Sequence, residues 1–112
     1  MSELIIRLDE RVADKPEDVV DAFDYYLRRG REWWRTRPDR AILANHLVVV
    51  DADNEVVAIG QIKGVEKGFE NVEGRISVTV NEQRNSAWLG KHVQRNKSRN
   101  PVAYEDQLIE LD

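Results

Sequence analysis

Residues Leu4-Ile5-Ile6-Arg7-Leu8 alternate so that Leu4, Ile6 and Leu8 share one side, and this period of two predicts a first strand. A helix is expected next. Asp14 is placed to accept from first-turn N–H groups, Glu17 completes a capping-box-like pair, and Pro16 sits where a missing N–H costs nothing. Asp18 and Asp21 add negative charge at the positive end of the helix dipole. From there Val19, Val20, Phe23, Tyr26, Leu27, Gly30, Trp33 and Trp34 recur at helical spacing. They predict one long amphipathic helix reaching about Arg35, closed by Pro38. Gly30 interrupts the apolar stripe, and close approach of a sheet backbone is a reason to keep it. Arg28, Arg31 and Arg35 fall on the opposite face, with Glu32 one turn from Arg28.

The texture turns to β after Leu43. Leu47-Val48-Val49-Val50 meets the turn Asp51-Ala52-Asp53-Asn54, and Glu55 to Val65 reads as the return strand of a hairpin. Ala58, Gly60 and Gly64 share one parity of that strand, which favours sharp curvature and a rolled sheet or small barrel. Lys67-Gly68 to Glu73-Gly74 is a loop, and Ile76, Val78 and Val80 face inward from a further strand. Residues 82–100 are irregular, with a helical turn expected around Ser86 to Val93, and Leu108-Ile109-Glu110-Leu111 reads as a last short strand. The expected fold is therefore α+β: a small, mostly antiparallel, curved sheet or pseudobarrel covered by one long N-terminal amphipathic helix.

A length of 112 residues suits a single α+β domain spanning residues 1–112, large enough to bury a core unaided. The absence of cysteine excludes disulfides, thiolate nucleophiles and cysteine-based zinc sites. Met1-Ser2-Glu3-Leu4-Ile5-Ile6 is short and acidic for a signal peptide, and no apolar run approaches ~18 residues. A cytoplasmic location with no membrane partner is the expectation.

The net charge of −4 argues against a generic polyanion binder, yet the charge is blocky. Six cations against two acids give residues 28–40 a net charge of +4, and six against one give residues 75–100 a net charge of +5. Screening confines each block's influence to about 8–10 Å, so an acidic chain can still present a basic face. Positive charge near a helix C-terminus also complements the dipole, which accounts for part of the first block without any ligand.

Catalytic motifs are sparse. His46 and His92 stand in no metal-ligand spacing, Ser86 lacks the context of a nucleophile elbow, and the glycines form no phosphate cradle. No cofactor, metal or catalytic residue is assigned. Asp51, Asp53 and Asn54 resemble the start of a calcium loop, but the rest of that loop is missing and a hairpin turn is the better reading. The segment from Arg84 to Tyr104 is richer, interleaving cations, amides and aromatics. Arg84, Lys91, Arg95, Lys97 and Arg99 suit phosphate, Trp88, His92 and Tyr104 suit stacking, and Asn85 and Asn100 suit hydrogen bonding to bases. The competing reading is a solvated loop whose Trp88 plugs the core. Of the adjacent tryptophans, Trp34 at the centre of the stripe is expected in the core and Trp33 nearer its edge.

The order of elements also resembles a family. A strand, a helix ending in tryptophan, and a curved hairpin of Leu47-Val48-Val49-Val50-Asp51 with Val56-Val57-Ala58-Ile59-Gly60-Gln61-Ile62 is similar to the PUA-like superfamily of PUA, ASCH and EVE-type domains, over residues 4–80. That resemblance implies a small pseudobarrel and binding of RNA or of modified nucleotides in DNA. It assigns no residue here; the candidates above come from charge and aromaticity. The leading expectation is a non-enzymatic domain that binds RNA or DNA. Its rivals are a protein-interaction module or homodimer with complementary charge blocks, and a small hydrolase or nuclease dependent on His46 or His92.

Overall fold

The computed structural model describes residues 2–95 and 100–111. Five strands form one mixed sheet: β1 (Glu3–Arg7), β2 (His46–Val50), β3 (Val56–Lys67), β4 (Ile76–Glu82) and β5 (Val102–Glu105). Their order across the sheet is β4-β3-β2-β1-β5. β1 and β2 run parallel with Leu4 opposite Leu47, and the other three pairings are antiparallel. The sheet is open, because the edge strands β4 and β5 lie at opposite ends of that order. The expected barrel closure is thus corrected to an open α+β sheet.

Two cores sandwich the sheet. Leu4, Ile6, Leu8, Leu47, Val49 and Ala58 point to the first, with Tyr26 and Leu27 of the helix. Ile5, Val48, Val50, Val56 and Ile59 point to the second, with Val93. Strands covered on both faces carry nearly continuous apolar runs, which explains why Leu47-Val48-Val49-Val50 shows no polar alternation.

The helix is much shorter than its sequence pattern. Residues Val12–Asp14 form a single 3₁₀ turn, and α1 spans only Ala22–Arg31. Its N-cap is Asp21, whose carboxylate accepts from the Asp24 N–H at 3.1 Å. Val20, expected in the apolar stripe, is fully exposed. At the other end Glu32 is extended (φ −132°, ψ 148°), and the Trp34 indole N–H donates to the Gly30 carbonyl at 2.9 Å. That bond satisfies a carbonyl left without an intrahelical partner. Trp34 also exchanges backbone hydrogen bonds of 2.9 and 2.8 Å with Ile76, so the chain leaves the helix to cover the start of the edge strand β4. A short helix, α2 (Pro38–Ala41), follows with Pro38 in its first turn.

Gly30 plays the part its position suggested. A Cβ there would lie 2.2 Å from Cγ2 of Val49, so the missing side chain lets α1 approach β2 directly. Gly60 is equally constrained, its absent Cβ falling 2.8 Å from the Asn81 carbonyl oxygen beside a register shift between β3 and β4. Asp51 organises the β2–β3 turn. One of its oxygens accepts from Asp53 and Glu55 N–H at 2.9 Å each, the other from Val12 N–H at 3.0 Å, so this carboxylate is a turn anchor.

The second face is covered without regular structure. Residues 84–95 cross it in turns, with the expected helical turn at Ser86–Val93 replaced by bridges from His92 to Glu55 and from Val93 to Glu110. The last strand is Val102–Glu105, paired with β1, while Leu108–Leu111 contributes only the bridge at Glu110. No helix among the described residues is long and apolar enough to cross a membrane.

Candidate functional site

Where α1 ends, the two basic segments of the sequence meet. A groove of about 580 Å³ has Arg28, Arg29 and Glu32 on the helix side, Leu8 and Asp9 after β1, and Val72 with Arg75 from the β3–β4 loop. Trp33, Trp34 and Pro101 also line it. A smaller cavity of about 260 Å³ shares Trp33, Trp34, Arg75 and Pro101 and adds Arg35 and Asn100, so the two lie side by side. The early end of α1 builds the groove, since extended backbone at Glu32 takes the chain off the helical path before the two tryptophans.

The two tryptophans differ in role. Trp34 packs against the first core and is fixed by three hydrogen bonds to Gly30 and Ile76. Trp33 is half-buried, lines both parts of the groove, and takes no part in that core.

The arginines divide in the same way. Arg31 donates from Nε to the Val78 carbonyl at 2.8 Å, protecting the edge of β4. Arg28 pairs with Asp24 at 3.2 Å, and Arg29 pairs with Glu10 while lying 5.5 Å from the Tyr25 ring centre. Arg35 and Arg75 are exposed and have no ion pair among the described residues. Nη1 of Arg35 lies 3.8 Å from where a Gly74 side chain would begin, so this guanidinium reaches across to the turn that carries Arg75. A single-stranded polyanion meeting this groove finds Arg35 and Arg75 uncommitted beside the half-buried Trp33.

The candidates from residues 84–104 are dispersed. Arg84 is clamped between Glu82 (2.6 Å) and Asp21 (3.0 Å) and lies 4.7 Å from the Phe23 ring centre. This clip raises the pKa of Arg84 and lowers that of Asp21, in both cases chiefly through the side-chain hydrogen bond between them. Asn85 is exposed. Trp88 is half-buried against the second core, with Lys91 over its ring at 5.6 Å and paired to Glu110 at 3.2 Å. His92 is exposed, 4.0 Å from Glu55.

Arg95 is buried and donates to the Asn100 carbonyl; burial and then the nearby Arg7 lower its pKa. Asn100 accepts from the Val102 N–H at 3.0 Å and reaches the groove. Tyr104 belongs to the first core, its hydroxyl 2.8 Å from that of Thr36 and its ring 4.1 Å from the Arg40 guanidinium, and burial raises its pKa. Trp88 and Tyr104 therefore sit on opposite faces of the sheet and form no common stacking surface. Lys97 and Arg99 lie outside the described residues.

A separate cleft of about 510 Å³ opens on the second face, lined by Glu3, His46, Gln83, Trp88 and Asp106 among others. Within it Nδ1 of His46 lies 2.8 Å from Oε2 of Glu3. Desolvation raises the Glu3 pKa, opposed by the charge and hydrogen bond of His46.

Comparison with protein-family models, with curated proteins and with solved structures finds no match. The groove was hidden in the sequence because its walls come from residues 7–9, 28–35, 72–75 and 100–102. Arg75 was visible only as the first cation of the second basic block.

Proposed function

We propose that this chain binds single-stranded nucleic acid in the groove at the end of α1. The observation that carries the reading is the meeting of the two basic segments at Trp33, with Arg35 and Arg75 free of ion pairs among the described residues. Backbone phosphates neutralise the two guanidinium groups, and a base stacks on the Trp33 indole, an interaction worth about 1–3 kcal/mol. A kinship with PUA-like domains belongs to the same proposal and rests on the order of strand, helix and curved hairpin.

Titration of fluorescent single-stranded RNA and DNA oligonucleotides at low salt tests the reading. Binding should weaken with salt, log K falling against log[salt] by about 0.7 for each phosphate neutralised. Trp33→Ala should weaken it about tenfold, the effect of roughly 1.4 kcal/mol of lost stacking. A saturating titration with no binding to either polymer rejects the reading.

A second reading is favoured by the Glu3–His46 contact. An imidazole held by a buried carboxylate, in a cleft that Asp106 also lines, is suited to proton transfer on the second face. Loss of a hydrolytic activity in His46→Gln would bring this reading forward.

A further inference from the structure

A groove made only to neutralise phosphate would not keep carboxylates among its arginines. Asp9 and Glu32 nonetheless line the same cavity as Arg7, Arg28, Arg29 and Arg75. Among the described residues neither carboxylate enters an ion pair or a side-chain hydrogen bond, although the nearby Glu10 and Asp24 have each taken an arginine. For Glu32 the cause is local. The helix stops at Arg31, so the pairing of Glu32 with Arg28 that a longer helix would have made is not formed, and Arg28 pairs one turn earlier.

An ionised carboxylate offers two acceptor oxygens and no donor. Beside a phosphate it repels, and its presence becomes favourable only if the ligand brings donors. Unpaired bases differ sharply in that respect. Guanine presents adjacent N1–H and N2–H groups on its Watson–Crick edge, a pair of donors that matches both oxygens of one carboxylate. Adenine and cytosine each place an amino donor next to a ring-nitrogen acceptor, which would face the second oxygen unfavourably. Uracil has one N–H between two carbonyl oxygens. Bidentate pairing of this kind discriminates by about 1–3 kcal/mol.

Resting on the nucleic-acid reading above, we infer that the groove selects an unpaired guanine. The base stacks on Trp33, and the carboxylate of the neighbouring Glu32 accepts from guanine N1–H and N2–H. Asp9 adds negative potential that favours the donor edge, while Arg35 and Arg75 hold the flanking phosphates. Glu32 is thus the specificity-determining residue and the arginines supply affinity.

The test compares the pentanucleotides r(UUGUU), r(UUIUU) and r(UUAUU) by fluorescence anisotropy at low salt. Inosine keeps N1–H but lacks the N2 amino group. The guanine pentamer should bind about tenfold more tightly than the adenine one, with inosine between them. In Glu32→Gln the ratio of guanine to adenine affinity should fall to about one, and in Asp9→Asn it should fall by a smaller factor. Thermal melting of both variants checks that the fold is kept. Equal affinity of wild-type protein for all three pentamers overturns the guanine inference while leaving nucleic-acid binding standing. A ratio unchanged in Glu32→Gln also overturns it. Binding of none of the three overturns both.

Discussion

The cations of this chain look alike on paper and end in two different settings, with the second basic segment divided between them. Around the groove, Arg35 and Arg75 reach solvent without ion pairs among the described residues, beside a half-buried Trp33 that lies outside the core. Away from the groove, the described cations of residues 84–95 are committed: Arg84 to Asp21 and Glu82, Lys91 to Glu110, Arg95 to the Asn100 carbonyl. Trp88 is likewise part of a core. A count of charges along a sequence therefore measures what could bind an anion, and the structure decides which cations are still available. In the segment 84–95 the acidic neighbours came from residues 21, 82 and 110, two of them distant in sequence.

Substitutions on either side should separate stability from binding. The largest effect is expected from Gly30→Ala, which pushes a Cβ into Val49 and displaces the helix end that shapes the groove. It should cost about 2–3 kcal/mol in urea unfolding and lower oligonucleotide affinity as well. Trp88→Ala should cost about 2 kcal/mol of stability by opening the second core, with oligonucleotide affinity maintained. Loss of affinity without loss of stability in that variant would move the site to the second face. Trp33→Ala should reverse the pattern, losing about 1–3 kcal/mol of binding while unfolding close to the wild-type midpoint.

The smallest effect is a pH dependence. Hydrogen bonding to Arg84 lowers the Asp21 pKa below its ordinary 3.8, so the clip's stabilisation is fully present above that value. It is lost as pH falls through the lower folded-state pKa. The melting temperatures of wild type and Arg84→Gln should therefore differ slightly at neutral pH and converge in acid. A gap that widens in acid would contradict the clip.

Much of the scaffold could be read from the residue pattern. The first strand, the β2–β3 hairpin and the inward face of Ile76 and Val78 follow from local alternation and turn chemistry, and each is present. Gly30 was legible too, because a lone glycine in an apolar stripe has few explanations. The helix boundaries were not. Asp14, Pro16 and Glu17 form a persuasive local start signal, yet the cap is Asp21. The end is dictated by Trp34 pairing with Ile76, a contact across 42 positions that no local period records. The same non-locality hid β5, whose short run Val102-Ala103-Tyr104-Glu105 is a strand only because β1 is there to pair with it. Barrel closure failed for a related reason: small residues on β3 allow close packing at Gly60, but closure needs β4 and β5 to meet.

Charge reversal on the two regions tests the central claim most directly. Arg35→Glu with Arg75→Glu is compared against Arg84→Glu with Lys91→Glu, each titrated with the same single-stranded oligonucleotide at low salt. Both pairs change the net charge equally, so a non-specific electrostatic effect would weaken binding alike. The groove pair should weaken binding at least about tenfold and flatten the salt dependence of what remains, and the Arg84/Lys91 pair should leave the affinity within about threefold of wild type, the residual expected from distant, screened charge. Abolished binding in the Arg84/Lys91 pair with binding retained in the groove pair would contradict the account.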